Sequence, residues 1–367
     1  MAYVAVKGGR QAIENACDLL SYQLQKGTSK PLGLDQIEEQ LYLGIDRIMS
    51  EAGLYAPKLA ALALKQAAGD SFEASFMLRA YRATKSRLSH SQPLAMDKMR
   101  VIRRISAAFK EIPGGQILGP TSDYTLRLLD FDLLEDSESR RQAFREKLLS
   151  HLDPEVELPD SFPKVVEILR RDGLLVEKST MEKESKPFDI TRQSLTYPAS
   201  RSATLQSLSR GETGGMLTLA YSSMRGYGNV HPFIGELRVG YVPLVVAHPE
   251  TGEPYTVGEV KVTEAEAVAQ YHDGTEDGPA KFTLGYGLCF GQNELKAISM
   301  AILDRTMRNE EGKSPVEDQE FVLSHIDGIE AMGFCNHWKL PHYVDFQSSL
   351  DRLRRTQKVG EPQESEL

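Results

Sequence analysis

Apolar residues recur at helical spacing along the first third of the chain. In LDQIEEQLYLGIDRIM, Ile37, Leu41, Ile45 and Ile48 follow one another at intervals of four, four and three, which predicts one helix with a single buried stripe. APKLAALALKQAAG predicts a second helix that stops at Gly69. A third starts at Asp70, with Glu73 three residues on, a capping-box-like pattern ahead of Phe72, Phe76 and Tyr81. The short connections predict a compact helical bundle. From about residue 99, MRVIRRISAAFKE reads as a basic helix entering a loop punctuated by Pro113, Gly114, Gly115, Gly119 and Pro120.

The pattern changes in the second half. LRVGYVPLVVA and YTVGEVKVTE are rich in valine and aromatics, and HPETGEP between them supplies turn residues, so an antiparallel hairpin is predicted. Beyond FTLGYGLCFG, the segment QNELKAISMAILDRTMRN predicts a helix with Leu295, Ile298 and Ile302 on one face and Arg305 and Arg308 near its end. DQEFVLSHI predicts another. The fold class is therefore α+β: an N-terminal helical region followed by a mostly antiparallel sheet flanked by helices. The expected divisions are a helical region over 1–135, a variable surface insertion or linker over 136–187, an α+β domain over 188–350 and a polar tail over 351–367. The insertion is inferred from the charged EDSESRRQAFREKL, the short PKVVEILRRDG and the polar VEKSTMEKESKP.

Composition narrows the function classes. The chain has 367 residues, 41% of them hydrophobic, enough for a sizeable core. No run of about 18 apolar residues is present, and the start lacks a basic segment followed by a long hydrophobic block, so a soluble, cytoplasmic protein with no membrane partner is expected. Three scattered cysteines, Cys17, Cys289 and Cys335, fit a reducing compartment. A net charge of −9 argues against nucleic acid, although a few placed cations can still hold a small polyanion.

Two stretches carry candidate chemistry. CNHWKLPHYVDF places Cys335, His337 and His342 within eight residues. On one helix the two histidines would be rotated by about 140°, too far to share a metal. Gly333 and Pro341 argue for a turn that brings the rings together, and paired imidazoles suit zinc or a similar metal, yet the chain offers too few neighbouring ligands for a complete site. The alternative is a polar surface beside a packed Trp338. In SMRGYGNVHPFIGELRVG, Arg225 suits a phosphate, Tyr227 a base or sugar face, and His231 and Glu236 form an acid/base candidate and a carboxylate; an ordinary loop leading into a strand is the competing reading. The glycine-rich stretch at 113–120 matches neither a P-loop nor a dinucleotide fingerprint.

Taken together, AYVAVKGG, LAALALKQAAGD, RRISAAFKEIPGGQILGPTSDYT, LAYSSMRGYGNVHPFIGE, FTLGYGLCFG and NHWKLPHYVDFQ resemble the subunit I family of the bacterial carbon–phosphorus lyase core complex. The resemblance runs over about 2–135 and 190–350 and is weaker over 136–187 and the tail. It implies a transferase of phosphonate catabolism that displaces adenine from C1 of the ribose of ATP with methylphosphonate, giving alpha-D-ribose 1-methylphosphonate 5-triphosphate. It also implies nucleosidase activity on ATP or GTP when the subunit is alone. The implied partners are core subunits G, H and J, the ATP-binding-cassette subunits K and L, and a second copy of the chain. His337 and His342 are implied to hold zinc shared with subunit J, and magnesium is expected to accompany the triphosphate.

Cleavage of an N-glycosidic bond passes through an oxocarbenium-like state, which calls for a carboxylate near the ribose and a proton donor for the base. Asp123, Glu236 and Asp345 are candidates for the first role and His231 for the second. Arg225, then Arg103 and Arg104, are the candidates for the triphosphate. A mainly structural, dimer-forming subunit that presents its histidines to a partner is the alternative, and an independent zinc hydrolase a third reading.

Overall fold

A computed structural model describes residues 9–135, 137–151, 159, 161–176, 186–225, 231–272, 278–308 and 314–359, with the side chains of 270–272 and 358–359 left aside. Helix α1 (Gly9–Leu24) is followed by α2 (Leu34–Gln40) and α3 (Tyr42–Ala52). The single helix expected over 34–49 is thus two, broken at Leu41, whose side chain is 50% exposed instead of completing the stripe. The break lets α2 lie against α4 (Pro57–Gln66) while α3 lies against α5 (Ser71–Ala83). Asp70 caps α5 as its position suggested, its carboxylate accepting from Phe72 N and Glu73 N at 2.9 and 3.2 Å. Ile37, Ile45, Ile48, Ala60, Ala74 and Leu78 form the core of this bundle.

The basic run at 100–105 is a strand, not a helix. Its β-branched Val101, Ile102 and Ile105 favour extended backbone, and β1 (Arg100–Ile105) finds ladder partners 132–141 residues away in β2 (Phe233–Ala247). The predicted hairpin is present: β2 pairs antiparallel with β3 (Pro254–His272), and β3 with β4 (Lys281–Phe290). The sheet order is β1-β2-β3-β4. Between β1 and β2 run α6 (Glu138–Ser150), α7 (Val166–Arg171), α8 (Arg201–Arg210) and α9 (Thr213–Met224). After β4 come α10 (Glu294–Thr306), α11 (Gln319–His325), α12 (Gly328–His337) and α13 (Tyr343–Val359). No helix among the described residues is long and apolar enough to cross a membrane.

Strand alternation gives the sheet two unlike faces. Leu237, Ala265, Ala267, Gly285 and Gly287 face α10. A Cβ on Gly285 would stand 1.9 Å from Ala301 O, and one on Gly287 2.0 Å from Ala297 O, so this helix rests on backbone. The face expected of α10 is present in part: Ile302 is buried and Ile298 packs against the core. Leu295 is 57% exposed, while Ala297, Met300, Ala301 and Leu303 are buried, because small residues permit the close approach.

The opposite face is covered in part by residues 162–175. Phe162, Val165, Val166, Leu169 and Leu175 are buried, so this stretch of the expected surface insertion belongs to the core, whereas α6 is exposed throughout. The helical bundle joins the sheet through α3. Asp46 meets Lys261 at 2.7 Å, Arg47 meets Glu212 at 2.8 Å, Glu51 accepts from Thr213 Oγ1 at 2.7 Å, and Ser50 O accepts from Lys296 Nζ at 3.0 Å.

Candidate functional site

His337 is the last residue of α12 and His342 immediately precedes α13, so the turn through Pro341 folds the two rings toward each other. Their Nε2 atoms are 3.0 Å apart and the rings stand edge to face. His342 Nδ1 lies 2.5 Å from Leu340 O. A carbonyl can only accept, so Nδ1 carries the proton and the Nε2 lone pair is aimed at His337. Tetrahedral zinc with Zn–N bonds of about 2.0–2.1 Å separates two ligand nitrogens by about 3.3 Å. The pair therefore fits two corners of a zinc site, with the carbonyl in the orienting position that metal-bound imidazoles use.

The described residues contain no cluster of three His, Cys, Asp or Glu side chains able to hold a metal, so among them the pair stands without a third such group. His337 Nδ1 is buried with no partner among the described residues, leaving a polar atom for another group to satisfy. Cys335 and Trp338 are exposed nearby, and Trp338 packs edge-on against Phe334. Asp345 lies in the first turn of α13, three residues after His342, and is exposed.

The other sequence candidates lie apart from this pair or from one another. Arg225 ends α9, its guanidinium donating to Tyr221 Oη at 3.0 Å. His231 opens the approach to β2, exposed, with its ring against Phe233. Tyr227, between them, lies outside the described residues. Arg103 is fully buried and binds Leu118 O, Asp123 and, at 3.0 Å, Glu294.

Arg104 is fully buried too. It donates to Glu236 at 2.6 Å, to Pro113 O and Gly115 O at 2.7 and 2.8 Å, and to Pro163 O at 2.8 Å, and its guanidinium stacks over Phe162. The second oxygen of Glu236 accepts from Val165 N. The glycine-rich loop thus wraps an arginine of its own chain. Gly114, at φ +81°, admits no Cβ, which would fall 2.9 Å from the Phe162 ring.

Glu236 and Arg104 belong to a buried charged belt that the sequence reading missed. Arg238 donates to Glu264, Lys164 bridges Glu264 and Glu266 at 2.7 and 3.1 Å, and Tyr286 Oη donates to Glu264 at 3.0 Å. Burial would raise the Glu264 carboxyl, but Lys164 and Arg238 outweigh it and hold the group below the usual carboxylate range. Burial raises Glu266, helped by the charge of Glu264 and opposed by Lys164, and it raises the Tyr286 phenol as well. One carboxyl is thus kept ionised beside another biased toward its acid form. The signal for the belt is the alternation in TEAEAVA, which puts alanines on the helix-covered face and carboxylates on the other.

Residues 2–360 match the model of the family described as bacterial phosphonate metabolism protein (PhnI). The chain belongs to the PhnI family. It is 48% identical over 361 residues to the alpha-D-ribose 1-methylphosphonate 5-triphosphate synthase subunit PhnI of Escherichia coli (strain K12), covering 97% of this chain and 98% of that one. It is 45% identical to the protein of the same name from Rhizobium meliloti (strain 1021), covering 97% and 95%. It is 53% identical over 362 residues to a putative C-P lyase subunit protein, HtxH, of Stutzerimonas stutzeri, covering 97% and 96%. PhnI membership places the chain in phosphonate metabolism, and these matches run through 136–187 and so extend the likeness past the blocks quoted from the sequence.

Proposed function

We propose that the chain is the subunit of a carbon–phosphorus lyase core complex that makes alpha-D-ribose 1-methylphosphonate 5-triphosphate from ATP and methylphosphonate. A phosphonate oxygen forms a bond to ribose C1, the bond from C1 to adenine N9 breaks, and adenine leaves with a proton. With water as the nucleophile, the chain alone releases base from ATP or GTP. Relatives at 48% and 45% identity named for the synthase support this reading. The observation that carries it is the His337–His342 pair, with Nε2 atoms 3.0 Å apart beside an exposed turn, which we read as a metal half-site that a second chain can complete.

Asp345 is the carboxylate we assign to the developing ribosyl cation, because it is exposed one turn from His342 while Asp123 and Glu236 are engaged by Arg103 and Arg104. His231 is assigned the proton for the leaving base, and Arg225 and Tyr227 the binding of nucleotide. Zinc at the histidines would supply a Lewis acid for a phosphonate oxygen or a bound water, subunit J giving the remaining ligands. Subunits G and H, the ATP-binding-cassette subunits K and L and a second copy complete the assembly, and magnesium accompanies the triphosphate.

The test is adenine release from ATP by the purified chain, alone and with its core partners and methylphosphonate, the ribose product being identified by mass. Release by the chain alone and the ribosyl phosphonate from the mixture support the reading. A chain that is inert alone, in a mixture that works, favours a second reading in which the subunit mainly presents its histidines to the partner. The extensive exposed apolar surface of α1, residues 124–134 and α13 favours that scaffold role as well.

A further inference from the structure

A cleft of about 500 Å³ opens between residues 190–195, the end of α8 and the helices α11 and α12. Its volume is that of a small-molecule site. Arg210, the last residue of α8, lines it, with Ser207 one turn earlier on the same face and Arg192 and Ser194 across the opening.

Arg210 is poorly matched by its surroundings. Its Nε is buried without a hydrogen-bond partner among the described residues, and it is ion-paired only loosely, to Asp327 Oδ2 at 3.5 Å. Asp327 is already held by Arg79, which binds both its oxygens at 2.9 and 2.7 Å, and it also caps α12. Arg82 stands close by as well. Burial, then the charge of Arg79, lowers Arg210; burial, then Arg210 and Arg79, lowers Arg82. Asp327 and Glu330 oppose that lowering at Arg210, but three guanidiniums against these two carboxylates leave an excess of positive charge and of N–H donors, and an oxyanion supplies what the group lacks.

The cleft also has a direction. Glu330, which lines it, lies on α12 seven residues before His337. Seven residues advance the helix by about 10 Å and return to nearly the same face. Cleft and histidine pair thus share one flank of α12. Glu330, on the side toward the histidines, suits sugar hydroxyls or the cation that a phosphate chain carries.

We infer that this cleft binds the phosphate chain of a nucleoside triphosphate, with Arg210 as its principal contact and Arg192 as a second, and directs the ribose along α12 toward His337 and His342. This rests on the proposed use of ATP, but the site stands or falls by binding, apart from turnover.

The full-length chain is titrated with inorganic tripolyphosphate, ATP and methylphosphonate, with heat of binding and melting temperature as readouts. The expected result is that tripolyphosphate and ATP bind and raise the melting temperature, and that Arg210→Gln weakens both at least tenfold. Arg192→Ala, at an exposed position, weakens them by a smaller factor. Arg210→Gln without ligand melts no lower than the wild type, because it relieves repulsion; Arg210→Lys recovers part of the affinity. Binding of methylphosphonate alone that depends on Arg210 overturns the assignment to the phosphate chain. Affinity for tripolyphosphate unchanged in Arg210→Gln overturns the site altogether. Adenine release with Arg210-independent binding leaves the proposed function standing without this cleft, and Arg210-dependent binding without adenine release does the reverse.

Discussion

Lys296 is fully buried, with Ser50 O as its hydrogen-bond partner, and burial pushes its amine down from 10.5 to about 8. Below pH 8 the ammonium is charged in both folded and unfolded chains, and the fold bears the whole cost of burying it. Between pH 8 and 10.5 the unfolded chain binds more proton than the folded one, so this residue's contribution to stability rises with pH. Urea midpoints measured across that window should rise in the wild type relative to Lys296→Met, and parallel curves would refute the assignment. Arg104 makes the opposite case, a buried charge fully answered. Arg104→Ala leaves Glu236 uncompensated and should cost about 3–5 kcal/mol in urea melts, whereas the double change Arg104→Met with Glu236→Leu should cost less than the single one. At the histidine pair, His342→Ala should leave the melt within about 0.5 kcal/mol of the wild type, the ring being only partly buried and outside the core, and lower the zinc recovered with the assembled complex. Unchanged zinc would remove the pair from the ligand set.

Among the elements, the contact of α10 with β4 is the least forgiving. Gly287→Ala drives a methyl into Ala297 O and should destabilise the chain by about 3 kcal/mol, measured as a shift in urea midpoint; a neutral outcome would mean that the helix can slide. The sequence shows part of this arrangement. Valine-rich alternation and the turn residues at 248–254 foretell the β2–β3 hairpin, and Asp70 foretells its helix start, because these signals are local. The sequence of β1 suggests a helix because arginines in a short run look amphipathic, and only distant β2 and Glu236 make them core residues. On α10, Ile298 and Ile302 face the core as their spacing suggests, but Leu295 does not, because apolar size, the usual guide to burial, is reversed where glycine invites alanine. The two histidines were legible as a pair from the proline between them. The belt of Lys164, Glu264 and Glu266 and the cleft at Arg210 join segments about 100 residues apart, which no local pattern reports.

On the scale of the whole molecule, apolar surface is unevenly covered. No residue of α1 is buried, and Leu19, Leu20, Tyr124, Leu126, Leu129, Phe131 and Phe346 all stand exposed. In the proposed complex, backbone hydrogen exchange over 9–24, 124–149 and 343–357 should slow on assembly, while the sheet, already protected, changes little; equal rates before and after would show that these surfaces remain open. Within the chain, the ladder from β1 to β2 fixes an order of events during synthesis. Ile105 leaves the ribosome 142 residues before Ala247, which at about 5–20 residues per second is an interval on the order of ten seconds. Throughout that wait β1 has no sheet to join. Because Arg103 and Arg104 occupy its centre, the nascent strand is charged and resists pairing with a neighbouring polypeptide; Asp123 can answer Arg103 early, but the strand is fully neutralised only when Glu236 and Glu294 arrive.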